Sequence, residues 1–97
     1  MRVLFWKAPM EDGGGMDYHL TEHARDVLKK RQIRLEWLEQ ALTAPERTER
    51  DSMDETLEHR LARIKEFGGR ALRVVVDARS ARPRVVTAYF DRRRRDR

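Results

Sequence analysis

The 97 residues contain no cysteine. That excludes disulfides and thiolate metal sites and fits a reducing compartment. Long apolar runs are also missing. The run Val3–Trp6 (VLFW) ends at Lys7, and four residues make neither a signal-peptide core nor a membrane span, so the expected location is cytoplasmic with no membrane partner. Glycine is scarce, and three of the five stand together at Gly13, Gly14 and Gly15. With no lysine after them and no flanking strand and helix, they do not form a phosphate-binding loop. His19 and His23 are four apart, but the helix starts between them and no HExxH motif supports them. No metal and no cofactor is expected.

Charge is plentiful. Asp, Glu, Lys and Arg make up 40% of the chain, against about 25% in an average globular protein. A domain this short buries about 60–65% of its unfolded surface, which implies a modest core in a charged shell and some reliance on a partner or a homodimer. The net charge is +5, and residues 91–97 (DRRRRDR) hold five arginines against two aspartates. A solvated end explains such a run, and so does contact with a polyanion, because arginine grips phosphate as a fork. The expected organisation is a flexible extension over 1–15, one domain over 16–91, and a basic tail over 92–97.

The sequence is organised around Gly68 to Arg93. Leu72–Val76 (LRVVV) and Val85–Phe90 (VVTAYF) are rich in β-branched and aromatic residues, which favour strands. The polar stretch between them contains Pro83, so they are expected to pair antiparallel at the centre of a sheet. Arg73, Thr87 and Tyr89 interrupt the apolar pattern and become candidates for a working face.

Ahead of these strands, Asp17–Leu20 reads as a short strand or a lead-in to the first helix. Thr21 is a good N-cap for a helix over about 22–31, whose stripe is Leu20, Ala24, Val27 and Leu28. Ile33, Trp37, Leu38, Ala41 and Leu42 predict a second helix, stopped by Pro45. An edge strand is expected near Arg47–Arg50. Leu57–Phe67 has helical propensity, but the Gly68-Gly69 turn favours a strand, and the strand is the reading adopted. The sum is an α+β domain, with two N-terminal helices on one face of a three- to four-stranded antiparallel sheet.

Three pieces, His23-Ala24, FGGRALRVVV at 67–76 and VVTAYFDRR at 85–93, together with IRLEW at 33–37, resemble the bacterial family named domain of unknown function 4258. The resemblance spans about Tyr18 to Arg93. It implies the fold of the RelE-like ribonuclease toxins, and hence a toxin-type endoribonuclease held by an antitoxin protein. The alternative it leaves is a non-enzymatic module of the same fold that binds protein or nucleic acid. The chain departs from the family pattern at Gln32, where glycine is usual, and at Arg34, where Ser or Thr usually caps the second helix.

Metal-independent RNA cleavage needs a base for the 2′-hydroxyl, cations for the phosphorane and an acid for the leaving oxygen. His23 and His59 are the acid–base candidates. Arg73 and Tyr89 complete the catalytic set, with Arg70, Thr87, Arg92 and Arg93 expected to bind substrate RNA. Packing explains His23 equally well, and simple solvation explains Arg70.

Overall fold

The computed structural model describes residues 18–79 and 82–91. The expected extension over 1–15, the basic tail and the two site calls Arg92 and Arg93 lie outside the described residues. Element order is β1 (His19–Leu20), α1 (Glu22–Lys30), α2 (Leu35–Thr43), β2 (Arg47–Arg50), β3 (Leu57–Ile64), a 3-10 turn (Lys65–Phe67), β4 (Arg70–Asp77) and β5 (Arg84–Asp91).

The fold is α+β, but the sheet differs from the expected one. It has five strands in the order β1-β5-β4-β3-β2. It is mixed, because β1 runs parallel to β5 with His19 opposite Arg84; the other three pairings are antiparallel. The helices are also not the first element, since β1 precedes them. Two residues carry too weak an alternation to show what they pair with; β1 joins β5 because His19 N–H donates to Pro83 C=O (2.9 Å) and Thr21 N–H to Val85 C=O (3.1 Å).

Thr21 caps α1 as its position suggests. Its Oγ1 accepts from Ala24 N–H at 3.0 Å and donates to Val86 C=O at 3.3 Å, tying the helix to β5. Just past the end of α1, after its C-cap Arg31, Gln32 has φ 54. There Ile33 N–H reaches back to Leu28 C=O and Gln32 N–H to Lys29 C=O, the paired bonds of a Schellman ending. A left-handed residue at that point favours glycine, so Gln32 holds a conformation that glycine adopts at less cost. Arg34, the N-cap of α2, makes no side-chain capping bond.

α1 packs on β5, and α2 on β3 and β4. Strand alternation sends Leu72, Val74 and Val76 of β4 toward the helices. There they join Ala24, Leu28, Trp37, Leu38, Ala41 and Leu42 in one buried cluster. The strand reading of Leu57–Phe67 holds as far as Ile64, after which Lys65–Phe67 turn in a 3-10 helix and Gly68 and Gly69 take φ 68 and 73. The hairpin loop is therefore longer than a two-residue glycine turn, and Ile64 pairs with Arg70.

A bulge in β5 sets the working face. Val75 pairs with Thr87 and Val76 with Val85, so Val86 is extra. The extra residue lets Val85 and Ala88 both face the helices while Thr87, Tyr89 and Asp91 share the other side.

Candidate functional site

Cross-strand register brings the open-face residues together. Glu49 of β2 lies opposite His59 of β3, Leu61 of β3 opposite Arg73 of β4, and Arg73 opposite Tyr89 of β5. Glu49, His59, Arg73 and Tyr89, with Arg50, Asp51, Ser52 and Asp91, line a concavity of about 430 Å³. The face away from the helices thus carries Arg73, Thr87 and Tyr89 on one side of the sheet.

Arg73 is its centre, at 7% exposure. Its Nε and Nη2 donate to Asp91 Oδ2 at 3.0 and 2.6 Å, and Nη1 donates to Glu49 Oε1 at 3.3 Å. Nη1 also lies 2.6 Å from His59 Nδ1. Burial opposes the guanidinium's charge, but the Asp91 carboxylate more than offsets it and holds Arg73 above the ordinary arginine value.

A guanidinium can only donate, so His59 Nδ1 must present its lone pair to Arg73. The ring proton is then on Nε2, which donates to Asp51 Oδ1 at 2.7 Å. Asp51 is held below the usual carboxylate range, first by this His59 bond and then by the N–H groups of Met53 and Asp54. Those two backbone donors (3.0 and 2.9 Å) fix Asp51 in the loop after β2. The chain Asp51–His59–Arg73–Asp91 therefore runs across four elements with the tautomer of His59 defined.

Chemically, this is an oriented imidazole whose basic nitrogen faces a cation. The lining holds Glu49, Asp51 and Asp91 against Arg50 and Arg73, so it is no simple anion pocket. The residues that sequence reasoning missed are these carboxylates. Asp91 shares parity with Thr87 and Tyr89, which was a usable signal, but it reads as the first residue of the arginine tail. Glu49 and Asp51 reach the site only through the β2–β3 register.

Two expected site residues lie elsewhere. His23 is exposed on α1, in the helix layer, with the sheet between it and His59. Arg70 is three residues from Arg73, an odd spacing on a strand, and so faces the helix side. Its guanidinium lies 5.3 Å from the centroid of Phe67 and 5.9 Å from that of Phe90, beside Trp37. Its Nε and the Trp37 Nε1 are buried without a hydrogen-bond partner. Among the described residues, no cluster of three His, Asp or Glu side chains is arranged to hold a metal. No helix there is long and apolar enough to cross a membrane.

Comparison with known proteins adds one match. The family described as domain of unknown function (DUF4258) matches residues 20–90, most of the chain, and the chain belongs to that family. No curated protein and no solved structure matches it.

Proposed function

We propose that this DUF4258 chain is an RNA-acting domain of RelE-like type, a toxin-type endoribonuclease that cleaves without a metal at the His59–Arg73–Tyr89 concavity. The observation that carries the reading is His59, held between the Asp51 carboxylate and the Arg73 guanidinium at 2.7 and 2.6 Å on the face that also bears Tyr89. The two helices set against an antiparallel meander support the RelE-like relation.

In this reading the resting site is closed on itself, and the substrate opens it. Arg73 Nη1 holds both Glu49, at 3.3 Å, and the lone pair of His59 Nδ1. A scissile phosphate that takes Nη1 displaces Glu49, the longest of the arginine's bonds, and frees Nδ1 in the same movement. Nδ1 then accepts the 2′-hydroxyl proton, and the 2′-oxygen attacks phosphorus. The P–O5′ bond breaks, and the Tyr89 hydroxyl protonates the departing oxygen. The products are a 2′,3′-cyclic phosphate and a 5′-hydroxyl. Asp51 keeps the Nε2–H tautomer throughout and stabilises the imidazolium that forms.

The same bonds favour a second reading. A guanidinium already bonded to carboxylates and an imidazole bonded at both nitrogens also suit a non-enzymatic module that binds protein or nucleic acid. The test is incubation of end-labelled RNA of mixed sequence with the full chain in excess chelator. Cutting that leaves cyclic phosphate ends, and falls about 100-fold or more in His59→Ala, is the expected result. Salt-sensitive retention of RNA without cutting would select the binding module.

A further inference from the structure

The β2 edge of the sheet carries an unusual charge order. Residues 46–50 read Glu-Arg-Thr-Glu-Arg, and all but Glu49 are exposed. Among the described residues, β2 is the last strand of the sheet, paired only with β3. The opposite edge, β1, offers only two residues.

We propose that β2 is a self-complementary edge through which two copies of this chain pair antiparallel about Thr48, joining their sheets into one. Backbone geometry fixes which groups are available. Asp51 N–H donates to Leu57 C=O, and the β2–β3 register keeps the sum of paired residue numbers constant. The bonded pairs on that side are therefore the odd residues, 47, 49 and 51. Antiparallel alternation then turns the N–H and C=O of Thr48 and Arg50 outward. A two-fold axis at Thr48 sets Thr48 against Thr48 of the partner subunit in a doubly bonded pair. Glu46 N–H is already committed to Leu61 C=O at 2.7 Å, so each outer pair adds one bond, from Arg50 N–H to the Glu46 carbonyl across the interface.

Charge selects this register among those the backbone allows. With Thr48 central, Glu46 faces Arg50 of the partner subunit and Arg47 faces Glu49 of the partner subunit, each pairing occurring twice by symmetry. A two-residue slip one way sets Glu49 against its own copy, and a slip the other way sets Arg47 against its own copy. A slip of one residue opposes Arg47 to Arg50 in one direction and Glu46 to Glu49 in the other, and also aims outward groups at inward ones. Charged edges ordinarily prevent pairing by opposing like charges; here only the Thr48-centred register pairs every charge with its opposite, while the Glu49-centred one offers Arg47 only Asp51, already held by His59 and two backbone N–H groups. Opposite-charge cross-strand pairs each contribute modestly, and the strand is short, so the dimer is weak, with Kd on the order of 100 µM.

The pairing bears on the site. Arg47 and Glu49 have the open-face parity, and Glu49 lines the concavity and accepts from Arg73. Arg47 of the partner subunit, opposite Glu49, adds a cation at the rim of an otherwise acid-rich lining. The proposal stands on the edge itself and does not depend on RNA cleavage.

Sedimentation of the full chain from about 10 µM to 1 mM, at low salt and at 0.5 M salt, provides the test. Glu46→Arg and Arg50→Glu each put like charges in both outer pairs and should weaken dimerisation about tenfold. An equimolar mixture of these two variants is charge-matched and should dimerise as the parent does. Thr48→Pro removes an outward N–H only and should leave a folded monomer; circular dichroism verifies the fold, and the charge variants decide the matter if it is lost. A parent that stays monomeric at 1 mM overturns the proposal. So does a dimer that survives all three substitutions, or a mixture that fails to recover.

Discussion

Arg73 shows how a residue can be visible in the sequence while its role is not. Its place in LRVVV marks a charge inside a buried strand, and the parity of Thr87 and Tyr89 sets them on the same side. What cannot be read is that the charge is already satisfied by Asp91 and Glu49, since those contacts span 18 and 24 residues. Arg70 illustrates the converse. It shares arginine chemistry with Arg73, but its odd spacing from it places the two on opposite faces of the sheet. The Arg73–Asp91 pair is buried, with side-chain exposures of 8% and 6%. Arg73→Ala takes two bonds from the buried Asp91 carboxylate and the guanidinium from Glu49 and His59, so it should lose about 3–5 kcal/mol in urea unfolding. Replacing both, as Arg73→Met with Asp91→Leu, should lose far less. A single substitution as mild as the double one would mean the pair is solvated.

Among the elements, those with long patterns were legible. α1, α2 and the two apolar strands lie where capping, periodicity and Pro45 place them, whereas β2 falls at the expected Arg47–Arg50 with no apolar pattern to mark it. Leu57–Ile64 was ambiguous because its composition suits a helix; pairing on both sides, with β2 and β4, overrides that propensity. The bulge at Val86 left no mark in the sequence, because the alternation rule fails at one inserted residue and the run VVTAYF is apolar on both sides of it. The helix junction gives a direct prediction. Gln32 holds φ 54 without the freedom of glycine, a cost of about 1 kcal/mol. Gln32→Gly should therefore raise stability by about that amount, seen as a higher denaturant midpoint with an unchanged slope. Destabilisation would show that the Gln32 side chain contributes more than its backbone conformation costs.

For the whole molecule, pH stability follows from groups on either side of neutrality. The carboxyl of Asp77 is drawn down to about 2, first by the Arg79 side chain and then by its N–H. Asp54 is lowered chiefly by Thr56, and Asp51 chiefly by His59. These groups bind fewer protons folded than unfolded, so their contribution is complete above about pH 4 and is lost as pH falls toward 2. Tyr18 acts at the other end. Burial, then its 2.8 Å bond to Glu39, raises its hydroxyl well above 10. Its contribution is complete below about pH 10 and is lost as pH rises further, because the unfolded phenol ionises first. Thermal melts across pH should show both limits. Asp77→Asn should flatten the acid limb and Tyr18→Phe the alkaline one; limbs unchanged by these substitutions would assign the limits to other groups.

In the proposed reaction, substrate phosphate frees His59 by taking Arg73. Nitrogen NMR of the imidazole-labelled full chain tests it most directly, with and without a short RNA whose 2′-hydroxyls are replaced by hydrogen so that it cannot be cut. The free protein should show His59 protonated at Nε2, and RNA should shift its Nδ1 signal while leaving His23 in place. An Nδ1 signal of His59 that stays fixed when RNA is bound would mean that phosphate does not release the imidazole from Arg73.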